Sequence, residues 1–158
     1  MSNFEAVGEF HSIFGHPKND VVQKDIFETN PKLVNFRVDL VREEFGELEQ
    51  AAKNGDMKEF VDALGDILYV VYGAGHVLGV NMDKAFRIVH ESNMSKLCKN
   101  ETEADESIEH YKTLEGFENV RVGKRLSSCG NYYVVFNEDT GKILKSKYFN
   151  LPDFSELL

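Results

Sequence analysis

No apolar run of about 18 residues or more occurs in the sequence, so no transmembrane helix is predicted. The first residues, Met1-Ser2-Asn3-Phe4-Glu5, lack the basic region and the apolar stretch of a secretory signal. Cysteine is scarce. Cys98 and Cys129 stand far apart, match no metal-ligand spacing and read as two reduced thiols of an intracellular, cytoplasmic protein. Basic residues are also few, 18 Lys and Arg against 27 Asp and Glu, for a formal charge of −9. That balance argues against a nucleic-acid polymer as partner, because a phosphate backbone needs a basic surface, and no membrane partner is expected. An acidic protein can still bind a phosphorylated small molecule if a metal sits between the two. There is no internal repeat and no low-complexity tract.

What is present suits a globular fold. The 158 residues are 42% hydrophobic and 28% charged, enough for one compact domain with a core and a small appendage. Phe4, Val7, Phe10 and Phe14 recur at helical spacing and predict a first helix ending at Gly15-His16-Pro17. A polar linker leads to Asn30-Pro31, a helix start with proline in the first turn. A second helix is predicted over 32–54, stopped by Asn54-Gly55-Asp56, and a third over 57–78, ending at Gly79. Asn81 caps a fourth, with Asp83 in its first turn, running to about Leu97. After Lys99 the character changes. Residues 101–109 are acidic and read as a surface helix or loop. Three β-rich stretches follow at 120–126, 131–137 and 142–148, the last two joined by a hairpin turn at Glu138-Asp139-Thr140-Gly141.

The informative feature is where the acids fall. At 100° per residue, Leu33, Leu40, Glu44, Glu47, Leu48 and Ala51 share one stripe of the second helix, so Glu44 and Glu47 continue an apolar face. Glu43 flanks that stripe. In the third helix Phe60, Val61, Ala63, Leu64, Ile67, Leu68, Val70 and Val71 cover most of the circumference and predict burial nearly all round. Its remaining polar stripe is Glu59, Asp62, Asp66 and Tyr69. Carboxylates so placed are costly to keep ionised and repel one another. Salt bridges to other helices, or a wet channel, would be one resolution. A hard divalent cation, Mg²⁺ or Mn²⁺, would be another, and two separate helices presenting acids on inward faces favour it.

Di-iron chemistry is disfavoured: the residues three before the histidines are Gly8, Ile13, Gly73, Arg87 and Ser107, so no Glu-x-x-His pair exists. On the fourth helix Asn93 and Lys96 fall on the apolar side near the C-terminus. Alone, Asn93 reads as a buried amide between helices and Lys96 as a charge opposing the helix dipole. Opposite a metal cluster, they are what a base and a triphosphate need.

Arg42-Glu43-Glu44-Phe45-Gly46-Glu47-Leu48 resembles the Glu-Glu-x-x-Glu signature of the all-α nucleoside triphosphate pyrophosphatases, which include the MazG proteins, the dimeric dUTPases and phosphoribosyl-ATP pyrophosphohydrolase. The stretch from Glu59 through Asp62 and Asp66 to Tyr69 is similar to that superfamily's second, Glu-x-x-Asp helix. Either Glu59 and Asp62 form that motif or Asp66 is its last residue, with Asp62 and Asp66 ranked first. Ser92-Asn93-Met94-Ser95-Lys96-Leu97 looks like the closing helix of the phosphoribosyl-ATP pyrophosphohydrolase-like branch, and Thr140-Gly141-Lys142-Ile143-Leu144-Lys145 like its tail.

The resemblance implies an all-α, four-helix MazG-like bundle over 1–98, followed over 99–158 by a linker and a small β-hairpin or three-stranded appendage. It implies Mg²⁺, or Mn²⁺, held by Glu43, Glu44, Glu47, Glu59, Asp62 and Asp66, with Glu44 or Glu47 as general base. Tyr69, Asn93, Lys96, Lys142 and Lys145 are the expected substrate-binding residues. The implied reaction cleaves a nucleoside triphosphate between the α and β phosphates, giving monophosphate and pyrophosphate, with dUTP or a noncanonical nucleotide as substrate. Phosphoribosyl-ATP hydrolysis and a catalytically silent nucleotide-binding or partner-binding helical module are the alternatives. Family helices pair across subunits, so a homodimer or a dimer of dimers is expected.

Overall fold

The helices begin where side chains satisfy their free N–H groups. Ser2 and Glu5 form a reciprocal capping box for α1 (Asn3–Phe14), with Glu5 N donating to Ser2 Oγ at 3.2 Å and Ser2 N donating to Glu5 Oε2 at 2.6 Å. Asn30 caps α3 (Pro31–Asn54), Asp56 caps α4 (Met57–Leu78) and Asn81 caps α5 (Met82–Met94), each accepting from a backbone N–H three residues on. A short α2 (Ile26–Thr29) lies within the predicted linker, and Asn100 caps α6 (Glu101–Tyr111). The computed structural model describes all residues, 1–158, and adds two antiparallel strands, β1 (Val122–Leu126) and β2 (Tyr133–Asn137). It is mostly helical with a small C-terminal sheet, the all-α class expected.

The chain divides into two compact units, residues 1–86 with 154–158, and residues 87–153. In the first, α3 and α4 are joined by Gly55 and Asp56 alone and pack along one another as an antiparallel pair. Gly55 takes the left-handed conformation (φ 65°) that ends α3. Helix α1 lies on the C-terminal half of α4, where small residues permit close approach. A Cβ on Gly8 would come within 2.7 Å of the His76 ring, and one on Gly73 within 3.0 Å of His11 Nε2. Each helix thus seats its histidine on the other's glycine. The linker closes the end of α4, with Asn19 N donating to His76 O and Gln23 N to Leu78 O, both at 2.9 Å, and Asn19 Nδ2 to Val77 O at 2.7 Å.

In the second unit Cys98, Ala104 and Val135 form a small core with Ile108, Val122 and Tyr133 packed on it. Tyr111 donates its hydroxyl to Lys145 O at 2.9 Å, and Ser107 Oγ accepts from Lys147 N at 2.9 Å, which ties α6 to the last stretch of the unit.

Three expectations are corrected. Residues 142–148 are not a strand: β1 pairs with β2, and the third stretch contributes one bridge, Phe136 to Ile143. Helix α5 stops at Met94, before Leu97, because Ser95 turns its hydroxyl onto Ser92 O and accepts from Asn150 N, and Cys98 already pairs with Tyr133. Helix α4 is not buried all round: Val61 is 59% and Leu68 53% exposed, since α1 meets only its C-terminal half. By length and mean hydropathy (1.2) α4 could cross a membrane despite its acids; it packs against α1 and α3 as a bundle helix.

Candidate active site

Antiparallel packing of α3 on α4 sets the acids of the two helices against one another. Glu44 is partly buried, while Glu43, Glu47, Glu59, Asp62 and Asp66 are exposed in the single chain, contrary to the inward placement read from periodicity. For Glu59, Asp62 and Asp66 the cause is the same uncovered side of α4. Partial burial, followed by the charges of Asp66, Glu47, Glu43 and Asp62 in that order, raises the Glu44 carboxyl above the ordinary carboxylate range. Four acids from two helices therefore act on a fifth.

None of these five carboxylates forms an ion pair. Salt bridges, the alternative account of these acids, are therefore not what the chain makes. Glu59 differs, accepting from Lys58 Nζ at 3.2 Å, and it is not among the charges acting on Glu44. An open groove of about 880 Å³ runs along α4, lined by Val61, Asp62, Gly65, Asp66 and Tyr69 among others. No three acidic, histidine or cysteine side chains are gathered closely enough to hold a metal ion as they stand. By donor type the set fits a hard divalent cation: every donor is a carboxylate oxygen, and the one cation acting on it, the exposed Lys58, pairs with Glu59 and reaches Asp62 only through longer-range attraction.

Tyr69 stands one turn beyond Asp66, 40% exposed, with Phe10 edge-on at 5.5 Å. Asn93 and Lys96 belong to the second unit and meet there: Lys96 Nζ donates to Asn93 Oδ1 at 2.7 Å. Asn93 is exposed, so it is not a buried amide. Lys142 and Lys145 are exposed on the same unit, with Lys145 Nζ 4.6 Å from the Phe149 ring centre. The structure thus places Glu43, Glu47, Asp62 and Asp66 within electrostatic reach of Glu44, lines one groove with Asp62, Asp66 and Tyr69, leaves Glu59 with Lys58, and separately joins Asn93 to Lys96. The sequence reading missed Arg37 and His11, both buried in the first unit. Arg37 was accessible to it, because it lies on the stripe of Leu33, Leu40 and Glu44.

The model of the phosphoribosyl-ATP pyrophosphohydrolase family matches residues 7–93, more than half of the chain and all six acids. The chain belongs to that family. As a phosphoribosyl-ATP pyrophosphohydrolase family member it falls in the MazG-like nucleoside triphosphate pyrophosphatase superfamily, whose members hydrolyse phosphoric anhydrides and typically use divalent metals. Lys96, Lys142 and Lys145 lie beyond the matched range. The chain is also similar to an uncharacterized protein of Acanthamoeba polyphaga mimivirus, 38% identical over 99% of this chain and 96% of that one.

Proposed function

We propose that this protein hydrolyses a nucleoside triphosphate between its α and β phosphates, releasing a nucleoside monophosphate and pyrophosphate. Mg²⁺ is the metal, replaceable by Mn²⁺, and the substrate is dUTP or a noncanonical nucleotide. The observation that supports this reading is that Asp66, Glu47, Glu43 and Asp62, drawn from both α3 and α4, bear on the partly buried Glu44 while none of the five forms an ion pair.

Glu44 and Glu47 from α3, with Asp62 and Asp66 from α4, would hold the metal, with Glu43 and Glu59 flanking them. When bound, a divalent ion would supply charge neutralisation for the phosphates and acidify the attacking water. Glu44 or Glu47 takes the proton of the attacking water as general base. Tyr69 forms part of the substrate-binding surface beside Asp62 and Asp66.

A homodimer, or a dimer of dimers, belongs to this reading. Val61, Leu64 and Leu68 of α4 and Phe36 and Phe45 of α3 are exposed apolar side chains on the helices that carry the acids, and a second copy would cover them.

The test is a panel of nucleoside triphosphates that includes dUTP, noncanonical bases and phosphoribosyl-ATP, assayed with Mg²⁺ for initial rates of pyrophosphate release. The highest kcat/KM is expected on dUTP or a noncanonical nucleotide. A clear preference for phosphoribosyl-ATP would move the substrate assignment to the reaction that names the family. Tight binding of nucleotide with no product would indicate a silent binding module.

A further inference from the structure

Arg37 faces inward from α3, is 8% exposed, and makes no hydrogen bond or ion pair with any protein group; its Nε is fully enclosed without a partner. The Phe36 ring, 5.6 Å from the guanidinium carbon, is its cation–π contact. A guanidinium carries five N–H donors and does not lose its charge in a protein. Here the Nε–H is enclosed without an acceptor, which is unfavourable and cannot be relieved by deprotonation, while the two Nη groups have no protein partner and are not fully enclosed. No other buried side chain in the molecule leaves a nitrogen or oxygen unpaired in this way.

The surroundings keep this cation in place without neutralising it. Gly73 of α4 lacks the Cβ that would come within 3.2 Å of Arg37 Nη1 and 3.0 Å of His11 Nε2, so the guanidinium and the imidazole sit together against the α4 backbone. His11, 3% exposed, bonds through Nδ1 to Pro17 O at 2.7 Å. Its burial, opposed by the hydrogen bond to Pro17 O and reinforced by the Arg37, His76 and His16 charges, lowers the His11 pKa below the usual value, which leaves Arg37 as the fixed charge of the pair.

Position along the seam gives this charge a use. Arg37 precedes Glu44 by seven residues on α3, and Gly73 follows Asp66 by seven on α4. Seven residues are nearly two turns, so both steps stay on the same face and advance about 10 Å. Arg37 and Gly73 therefore form a rung parallel to Glu44 and Asp66. An elongated polyanion lying along the seam would meet the acid cluster at one rung and an unpaired guanidinium at the next.

We propose that Arg37 is a substrate-binding residue that donates hydrogen bonds to a phosphate oxygen of the nucleotide, two helical turns from the carboxylates. The assignment rests on the pyrophosphohydrolase reading given above. Gly73 serves it by leaving the guanidinium room against α4.

The test uses the full-length protein with Mg²⁺ and α,β-imido-dUTP as a non-hydrolysable probe, titrated calorimetrically into the wild type, Arg37→Gln and Arg37→Lys. Melting temperature without nucleotide and sedimentation are measured on each. Arg37→Gln is expected to weaken probe affinity by about tenfold to a hundredfold, the range for losing charge-assisted hydrogen bonds. Arg37→Lys recovers part of it. The nucleotide-free melting temperature of Arg37→Gln stays level or rises, because an unsatisfied buried donor is removed. Equal probe affinity in wild type and Arg37→Gln overturns the assignment. So does a glutamine variant that becomes monomeric with its affinity intact, which would give Arg37 to a carboxylate of a second copy. If Arg37→Gln does not fold, Arg37→Lys decides: weakened affinity supports the assignment and wild-type affinity overturns it. A wild type that binds no nucleotide defeats the functional reading itself, an outcome distinct from equal affinities.

Discussion

Glu44 on α3 and Asp66 on α4 repel each other. After partial burial, the Asp66 charge is the largest influence holding the Glu44 carboxyl above its ordinary range, and neither group has a cationic partner in the protein. Asp66→Asn removes that repulsion without leaving a cavity. In EDTA the variant is expected to melt at or above the wild-type temperature. With Mg²⁺ its turnover should fall by more than the roughly 10–100-fold that changes outside a ligand shell cost. A marked loss of metal-free stability would instead indicate that Asp66 serves a structural pairing.

Glu44 gives the same repulsion a pH signature. Its folded-state pKa is raised above the ordinary 4.5, so ionising it opposes folding. The stability associated with the protonated group is present below that value and lost as pH rises through the folded pKa. In EDTA, Glu44→Gln should therefore exceed wild type in melting temperature at pH 7, with the advantage vanishing as pH falls below about 4.5. Differential scanning fluorimetry from pH 4 to 8 reads this. An advantage that does not change with pH would mean the charge is not its source.

Helical periodicity placed α1, α3 and α4 within a residue of their observed ends because Gly15, Gly55 and Gly79 stop them in left-handed conformations and Ser2, Asn30 and Asp56 cap them. The acids of α3 and α4 were legible for the same reason, since a carboxylate continuing an apolar stripe is visible in one dimension. Their exposure was not legible. An apolar residue such as Leu68 shows that a face seeks cover, but whether α1 or something outside the chain supplies it depends on tertiary packing. The 142–148 stretch misled because alternation marks a strand only where an edge accepts it, and here α6 engages that segment instead, Tyr111 donating to Lys145 O and Ser107 Oγ accepting from Lys147 N. Arg37 escaped notice because an arginine is ordinarily assigned to solvent.

The reciprocal seating of His76 on Gly8 and His11 on Gly73 predicts that α1 tolerates no added methyl group. Gly8→Ala would bring a carbon within 2.7 Å of a buried imidazole that also bonds Phe4 O at 2.7 Å. A loss of about 1–3 kcal/mol is expected, outweighing the helix-propensity gain of alanine. Each kcal/mol should lower Tm by about 2–4 °C. Unchanged or increased stability in a thermal melt would show that α1 shifts freely on α4.

The uncovered apolar face predicts self-association. Sedimentation equilibrium should give a mass at least twice the 18.0 kDa chain. Leu68→Glu, a charge placed on a side chain 53% exposed in the single chain, should shift that mass toward monomer. A wild-type monomer at micromolar concentration would leave that face to a different partner.

The central claim is hydrolysis of a triphosphate at the α–β bond with a metal held by the α3 and α4 acids. The most direct measurement is ³¹P NMR of wild-type protein with dUTP and Mg²⁺, followed in time and repeated in excess EDTA. The account predicts that pyrophosphate and dUMP resonances grow together from the first spectrum, with no dUDP, and that neither appears in EDTA. Orthophosphate with dUDP as first products would contradict the α–β assignment, and undiminished turnover in EDTA would contradict the metal.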